Sequence, residues 1–258
     1  MNALRLNTET DIDIGADTGA ELAPVTLYEQ EELGALTGGA LRPGGTDLTG
    51  ELLRLCAFAP GSAVLDVGCG PGHSLALMAT EFGLRPVGLD PSAAMLDRAA
   101  CRAPSAMLHR GVAAAIPCAD GIFAGVVSEC VLSLTGDIRT SLAEMHRVLR
   151  PAGRLILSDI YCRKPWQQPD PARLHSCLSH ARPLETIASE VAGAGFSLVL
   201  LRDRNELLAQ LAGQIIFSCG SLERFWGLFL DAATARRTSC TLATAPLGYY
   251  ALIAEKEP

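Results

Sequence analysis

Short apolar runs alternate with longer amphipathic stretches through the middle of the chain. Five runs rich in Val, Leu and Ile predict buried strands, at Ala63–Val67, Pro86–Asp90, Ala106–His109, Phe123–Ser128 and Arg154–Asp159. Stretches with apolar positions three and four residues apart predict helices between them, at His73–Glu81, Ala93–Arg102 and Arg139–Leu149. Because strands joined by helical crossovers pair in parallel, the pattern predicts an α/β fold with a doubly wound sheet.

The same alternation continues toward the C-terminus. We expect a helix after Pro183 as far as Ala194, and then a strand, two helical stretches and a final strand, at Phe196–Arg202, Leu207–Phe217, Leu222–Ala235 and Tyr249–Ala254. No internal repeat and no clear linker interrupts residues 25–258, which favours one domain.

The two ends of the chain differ from this core. Residues 1–24 are polar and acidic and predict a mobile leader. Residues 25–58 predict a helical cap that is broken at Gly38-Gly39 and Arg42–Gly45, with Thr46 or Asp47 capping its last helix. Residues 60–160 then form the ligand-binding core, and 160–258 are expected to cover the substrate.

Composition excludes several classes of partner. The net charge is −7, only two lysines occur, and the arginines that supply the remaining positive charge form no run longer than two, which disfavours a nucleic-acid partner. No apolar run approaches the roughly 20 residues that span a bilayer, and the acidic N-terminus lacks the features of a signal peptide. We therefore expect a cytoplasmic protein without a membrane partner. The nine cysteines are scattered, which is typical of small core residues rather than of a disulfide framework.

The most informative segment joins the first strand to the next helix. It reads Val-Leu-Asp-Val-Gly-Cys-Gly-Pro-Gly over Val64–Gly72, so an acid is followed by glycines at alternate positions. Glycines permit a tight turn and let a ligand approach backbone N–H groups. A dinucleotide site of the G-x-G-x-x-G type would place its third glycine at His73, which the sequence does not do.

A second acid lies at the end of the following strand. Asp90 stands eighteen residues after Gly72, where a carboxylate can accept hydrogen bonds from both hydroxyls of a ribose. An alternative is an acid at a helix start, since Pro91 and Ser92 follow it. Its register with the glycine turn favours ribose binding.

These motifs resemble those of class I methyltransferases that depend on S-adenosylmethionine (SAM), particularly the small-molecule branch that includes quinone-biosynthesis and sterol methyltransferases. The resemblance covers residues 60–160. Five segments carry it in the family's order, and they are Val64–Gly72, Val87–Asp90, Gly111–Pro117, Phe123–Leu134 and Glu144–Gly153.

The resemblance implies a Rossmann-like, mostly parallel sheet of seven strands with an antiparallel last strand and helices on both faces. It implies SAM as cofactor, with its methionine part at the glycine turn, its amino group beside Asp66 and its ribose on Asp90. Met95 is expected to line the adenine pocket. The implied cofactor-binding residues are Asp66, Gly68, Cys69, Gly70, Gly72, Asp90, Pro91, Met95, Val112, Ala113 and Glu129.

The chain departs from the family pattern at three places. Val112 stands where the family usually has an acid that contacts adenine, so the backbone of Ala113 is an alternative contact. Ala124 replaces the acid of a common Phe-Asp pair. Ser128–Val131 replaces the Asn/Asp-Pro-Pro-Tyr/Phe signature, which by resemblance argues against methylation of nucleobase amines.

A sulfonium methyl is already activated, so methyl transfer needs mainly the positioning of donor and acceptor. Glu129 is the first candidate for a catalytic polar role, and the alternative is a strand-end carboxylate bonded to backbone. Cys219 and Cys240 form a candidate thiol pair for a soft acceptor such as a metalloid, and the alternative is two buried core residues. No metal site is expected.

We therefore predict an enzyme that transfers a methyl group from SAM to a small, neutral or apolar acceptor, as a monomer or homodimer. A nicotinamide-dependent dehydrogenase is disfavoured by the glycine spacing and by Glu144–Gly153. A non-catalytic SAM-binding regulatory module remains the alternative outside enzymes.

Overall fold

The computed structural model describes residues 42–164, 177–178 and 180–257. The predicted leader 1–24 and the first part of the predicted cap, 25–41, lie outside the described residues.

Helices and strands alternate along the described chain. The helices are α1 Gly45–Cys56, α2 His73–Phe82, α3 Ala93–Arg102, α4 Ile138–Val148, α5 Leu184–Gly193, α6 Asn205–Cys219, α7 Leu222–Trp226 and α8 Ala232–Thr244. The strands are β1 Ala63–Val67, β2 Arg85–Asp90, β3 Met107–Arg110, β4 Phe123–Glu129, β5 Leu149–Cys162, β6 Phe196–Asp203 and β7 Leu247–Lys256. A 3₁₀ turn, Leu132–Leu134, follows β4.

The seven strands form one sheet in the order β3-β2-β1-β4-β5-β7-β6. Strands β1 to β5 pair in parallel, and β7 is antiparallel to both β5 and β6. This confirms the predicted doubly wound sheet with an antiparallel last strand. The direction of winding reverses between β1 and β4, and in open α/β sheets the ligand crevice lies outside the carboxyl ends of the strands at that reversal.

Side chains of the central strand β4 are buried on both faces of the sheet. Val126 packs on the face covered by α4 and α5, while Val127 packs on the face covered by α1, α2 and α6–α8. This alternation follows from the two-residue period of a strand. We call the second face the α1 face, because α1 lies over the part of it that carries the candidate site.

The start of α1 differs from the prediction. The helix begins at Gly45, and its N-cap is Gly44 with φ of 80°, without a capping side chain. Thr46 and Asp47 therefore lie inside the first turn, and the prediction that one of them caps the helix is wrong. Glycine takes this left-handed conformation without the strain that a Cβ atom adds.

The boundary between α4 and β5 also differs. Asp137 caps the helix by accepting a hydrogen bond from Thr140 N at 3.0 Å, and α4 passes directly into β5 after Val148. Pro151 and Gly153, which follow the predicted helix Arg139–Leu149, lie in an irregular part of β5, where pairing with β4 shifts between Leu149 and Arg154. Pairing with a neighbouring strand therefore extends β5 beyond its apolar run.

The predicted helix Leu222–Ala235 is two helices. α7 ends at Trp226, and α8 begins after Asp231, whose carboxylate accepts a hydrogen bond from Thr234 N at 3.0 Å. The aspartate cap starts a new helix where apolar periodicity alone predicted continuity. None of the helices in the described part of the chain has the length and apolar character needed to cross a membrane.

One of the two lysines supports the C-terminal end of α4. Lys256 Nζ donates hydrogen bonds to His146 O and Leu149 O, each at 2.8 Å. A cation at a helix C-terminus satisfies carbonyls that have no partner within the helix and interacts favourably with the helix dipole.

We expect Lys256→Met to lower the free energy of unfolding by about 1 kcal/mol, since both charge-assisted hydrogen bonds are lost. Urea unfolding measures the change, and Lys164→Met at the exposed second lysine is the control. Equal effects of the two substitutions would contradict the capping role.

Candidate functional site

The glycine turn after β1 leaves open space at its centre. Gly68, Gly70 and Gly72 all have left-handed φ values, of 73°, 52° and 84°. A Cβ atom at Gly68 would lie 2.3 Å from a methyl of Val131, and one at Gly72 would lie 2.9 Å from Ala99 Cα, whereas a Cβ atom at Gly70 would meet nothing within 4 Å. Two glycines therefore permit close packing, and the third borders space that a ligand can occupy.

Hydrogen bonds join the glycine turn to the end of β2. Gly68 N and Cys69 N donate to Leu89 O at 2.7 and 3.0 Å, and Gly70 N donates to Asp90 Oδ2 at 2.8 Å. Ser92 N donates to Asp90 Oδ1 at 2.9 Å. The Asp90 carboxylate therefore points toward the glycine turn, and its role in ribose binding stays a prediction.

Three further predicted cofactor residues lie around this turn. Cys69 is buried against α2 and α3, so its side chain belongs to the core. This burial raises the pKa of its thiol. Met95 is buried in the first turn of α3, and its N–H donates to Ser92 Oγ at 3.2 Å. The carbonyl of Pro91 accepts a hydrogen bond from Arg110 Nε at 3.1 Å.

The loop after β3 is held by a pair of charged residues on α4. Glu144 accepts a hydrogen bond from Ile116 N at 2.8 Å, and Arg147 donates to the carbonyls of Ile116 and Cys118 at 2.8 and 2.7 Å. The same loop carries Val112, which forms an isolated bridge to Ala115, and the buried Ala113. Thus the Glu-x-x-Arg segment holds the loop that carries the expected adenine side of the site.

A row of polar side chains crosses the α1 face at the carboxyl edge of the sheet. Asp66 lies on β1, Glu129 on β4 and Ser158 on β5, and Tyr249 lies on β7. Ser158 Oγ is 3.4 Å from Glu129 Oε1, and Tyr249 Oη is 3.1 Å from Ser158 Oγ. All of these residues are buried.

Glu129 is the centre of this row. Its carboxylate accepts hydrogen bonds from Thr49 Oγ1 and Ser74 Oγ, each at 3.0 Å, and forms an ion pair with Arg42 at 2.9 Å. These contacts join α1, the first turn of α2 and the residues before α1 to the end of β4. The partners are side chains, in contrast to the backbone contacts of the alternative interpretation, and a catalytic role for Glu129 stays a prediction.

Asp66 stands beside Glu129 with fewer contacts. Its side chain is 3 % exposed, and no hydrogen bond to its carboxylate is found within the described residues. Burial, with the negative charges of Glu129 and Asp90 adding to it, raises the pKa of Asp66 to about 8, although Arg42 opposes the shift. A buried carboxylate of this kind favours a cationic ligand group.

Three of the residues around Glu129 were missed from the sequence. Thr49 is a polar residue on the apolar side of α1, and Ser74 is the second residue after the glycine turn, so both carried a local signal. Arg42 carried no local sequence signal, because the pattern before α1 predicts only a break between helices.

The candidate thiol pair does not gain support from the structure. Cys219 is the half-buried last residue of α6, and Cys240 is exposed within α8 rather than buried in the core. Within the described residues, no three His, Cys, Asp or Glu side chains are grouped to hold a metal ion.

Comparison with known proteins gives related sequences for the same region. The family model described as a methyltransferase domain matches residues 64–153. An arsenite methyltransferase of Halobacterium salinarum is 29 % identical over 189 residues, which are 69 % of this chain and 48 % of that protein. A demethylmenaquinone methyltransferase of Beutenbergia cavernae is 36 % identical over 107 residues, which are 42 % of this chain and 44 % of that protein. The chain thus spans about half the length of these curated relatives.

The fold itself has solved counterparts. A phosphoethanolamine N-methyltransferase of Haemonchus contortus, solved in complex with SAM, matches with a TM-score of 0.73 at 18 % identity. The match covers 87 % of this chain and 56 % of that one. At this identity the likeness shows the fold.

The fold is a doubly wound α/β sheet with a glycine turn after β1. Residues 64–153 match the model of a methyltransferase domain, and the two curated relatives and the solved counterpart named above are methyltransferases.

The pKa of Asp66 predicts how stability depends on pH. Since the pKa in the folded protein, about 8, lies above the ordinary value of 3.8, the folded state binds the proton more tightly than the unfolded chain. The stabilising contribution is fully present below the ordinary value and is lost as pH rises toward 8.

We therefore compare the free energies of unfolding of Asp66→Asn and of the unchanged protein. As the pH rises from mildly acidic to mildly alkaline, we expect this difference to shift by about 1–3 kcal/mol in favour of Asp66→Asn. Urea unfolding at both pH values measures this gap, with the exposed Asp97→Asn as the control. A gap that does not vary with pH would refute the raised pKa.

Proposed function

We propose that this protein transfers a methyl group from SAM to a small-molecule acceptor. The observation that carries the proposal is the hydrogen bond between Gly70 N and Asp90 Oδ2, at 2.8 Å, beside the open space over Gly70. It brings a turn that admits an amino-acid tail next to a carboxylate that can hold a ribose.

The described residues fit SAM group by group. Asp66 offers a buried carboxylate to the α-ammonium group, and Asp90 offers oxygens to the ribose hydroxyls. The N-terminus of α2 begins at His73 with no capping side chain, and such a terminus favours the donor's carboxylate. Met95 and the backbone at Ala113 would border the adenine.

SAM supplies an activated methyl group, and the protein's part is to position donor and acceptor and to exclude water. The polar row on the α1 face borders the end of β4, so an acceptor that reaches the methyl passes near Glu129. The carboxylate of Glu129 already accepts bonds on both oxygens, which supports a positioning contribution alongside the predicted catalytic one.

The finer expectations remain proposals. The acceptor is a small molecule, neutral or apolar by the sequence prediction, and methylation at O, C, S or N is open. A thiol or metalloid acceptor held by Cys219 and Cys240 is the second candidate, which only the sequence favours. The oligomeric state and the cytoplasmic location stay predictions.

Binding measurements test the donor site. Titration calorimetry of the full chain with SAM, S-adenosylhomocysteine (SAH) and NADH should show binding of the first two only. Affinity for NADH without affinity for SAM would refute the proposal in favour of a dehydrogenase.

The role of Asp90 has its own test. We expect Asp90→Asn to weaken SAM binding by about 1–3 kcal/mol, because the charge-assisted bonds to ribose are lost. Calorimetry measures the change, with Asp97→Asn as a control on the exposed surface of α3. Unchanged affinity would exclude Asp90 as the ribose ligand.

Catalysis requires a separate experiment. Incubation with methyl-labelled SAM and a cell-extract pool of metabolites should produce labelled small molecules, and this labelling should fall sharply in Asp90→Asn. SAM binding without labelled product across broad pools would favour the regulatory module.

A further inference from the structure

A buried aspartate on β5 holds the 3₁₀ turn that follows β4. Asp159 is 2 % exposed, and its carboxylate accepts hydrogen bonds from Ser133 N at 2.9 Å and from Ser133 Oγ at 2.5 Å. Its own strand adds a third donor, Ile160 N, at 2.7 Å. These bonds fix the position of Ser133, because a shift of the turn would leave buried polar groups without partners.

The 3₁₀ turn lies against the glycine turn of the candidate site. A Cβ atom at Gly68 would lie 2.3 Å from a methyl of Val131, the residue before the 3₁₀ turn, so the Val131 side chain packs directly on Gly68. Val131 O accepts a hydrogen bond from Leu134 N at 2.9 Å, which joins Val131 to the 3₁₀ turn. The segment after β5 is joined to the same turn, since Ser133 O accepts a hydrogen bond from His180 N at 3.1 Å. A displacement of Ser133 would therefore change the packing on the glycine turn.

Asp159 lies on the face of the sheet opposite to Glu129. Ser158 belongs to the polar row on the α1 face, so the side chain of its neighbour Asp159 points to the other face. There Asp159 pairs with Tyr250 on β7, which is buried in the core under α4 and α5. An effect of Asp159 on the glycine turn therefore has to pass through the 3₁₀ turn.

We propose that Asp159 is a positioning residue for the donor site and acts on it through Ser133 and Val131. In the proposed function, on which this inference rests, the methionine part of SAM lies at the glycine turn. The Asp159 carboxylate holds the 3₁₀ turn, and the 3₁₀ turn holds the Val131 side chain on Gly68. The glycine turn thereby keeps the shape that receives the donor.

The ionisation of Asp159 decides how well it holds the 3₁₀ turn. Burial raises the pKa of Asp159 to about 6, although the hydrogen bonds from Ser133 and Ile160 oppose the shift. At neutral pH the carboxylate is therefore mostly ionised and accepts all three hydrogen bonds. Protonation replaces one acceptor position by a donor, so it weakens the hold on Ser133.

Other titratable groups lie around Asp159 and the turn. The Cys130 thiol, after β4, and the Tyr250 hydroxyl, on β7, interact with the charge of Asp159. Burial raises the pKa of each well above its ordinary value, so both groups stay neutral. His180 joins the turn through its backbone, and its side chain is exposed. Asp66 titrates at the donor site itself, so the test compares variants that all keep these groups.

The test measures the affinity of the full chain for SAM by calorimetry at neutral pH and at mildly acidic pH, below the pKa of Asp159. Asp159→Asn removes the charge and one acceptor oxygen, so it resembles the protonated acid. At neutral pH we expect Asp159→Asn to bind SAM about fivefold more weakly than the unchanged protein. At mildly acidic pH the ratio should shrink to about twofold or less, because the unchanged protein is then protonated as well.

The outcomes separate this inference from the proposed function. Absence of SAM binding to the unchanged protein would refute the proposed function itself. Equal SAM affinities of Asp159→Asn and the unchanged protein at neutral pH would overturn this inference alone. A ratio of affinities that stays the same at both pH values would also overturn it, since a merely structural effect of the substitution does not follow the ionisation of Asp159.

A double substitution tests the route through Val131. Val131→Ala removes the methyl groups that pack on Gly68. In that background Asp159→Asn should weaken SAM binding at neutral pH by about twofold or less, because residues that act through one contact are not additive. An undiminished effect of Asp159→Asn in Val131→Ala would contradict the proposed route and overturn the inference.

A matched control has the same pair of hydrogen bonds in another part of the fold. Asp231 accepts hydrogen bonds from Thr234 N at 3.0 Å and Thr234 Oγ1 at 2.7 Å at the start of α8. Asp231→Asn should weaken this helix cap and leave the SAM affinity unchanged at both pH values. Should Asp159→Asn not fold, Ser133→Ala decides, because it removes only the hydroxyl bond. It should weaken SAM binding at neutral pH by about twofold to threefold, and an unchanged affinity would overturn the inference.

Discussion

The hydrogen bond from Gly70 N to Asp90 Oδ2 joins the turn after β1 to the end of the adjacent parallel strand β2, beside the switch point between β1 and β4. The contacts proposed for the donor depend on it. It directs the Asp90 carboxylate toward the glycine turn, and a Cβ atom at Gly70 would meet nothing within 4 Å. Since β1 and β2 pair in register, Asp66 and Asp90 occupy the same edge of the sheet. The sheet thus provides a rigid frame for groups that are far apart in sequence.

The candidate site contains buried carboxylates whose charges oppose folding. A carboxylate such as Asp66, buried near other acids, opposes folding unless a cation compensates it. Arg42 supplies part of this compensation, and Thr49 and Ser74 stabilise the Glu129 carboxylate through hydrogen bonds. The compensation is incomplete, so the pKa of Asp66 stays raised. In the proposed function, the buried acid that opposes folding is also the group that receives the donor's ammonium.

Helix and strand limits were predicted well where apolar periodicity was strong and poorly where capping or pairing decided them. The strand at Ala63–Val67 was predicted with its observed bounds. The helix predicted through Ala235 was divided, because an aspartate cap competes with continued periodicity. At β5, pairing with neighbouring strands lengthened a strand that the sequence limited to its apolar run. Such boundaries depend on partners that a local pattern does not contain.

The sequence by itself determined the alternation of strands and helices, the glycine turn and the acid at the end of β2, because each is encoded in a contiguous segment. Only the tertiary structure decided that Arg42 and Thr49 meet Glu129, since these residues are separated by about 80 positions or more in the chain. Local patterns report which residues form an element. They do not report which buried charges will share a counter-ion, because that pairing depends on the order in which the strands enter the sheet.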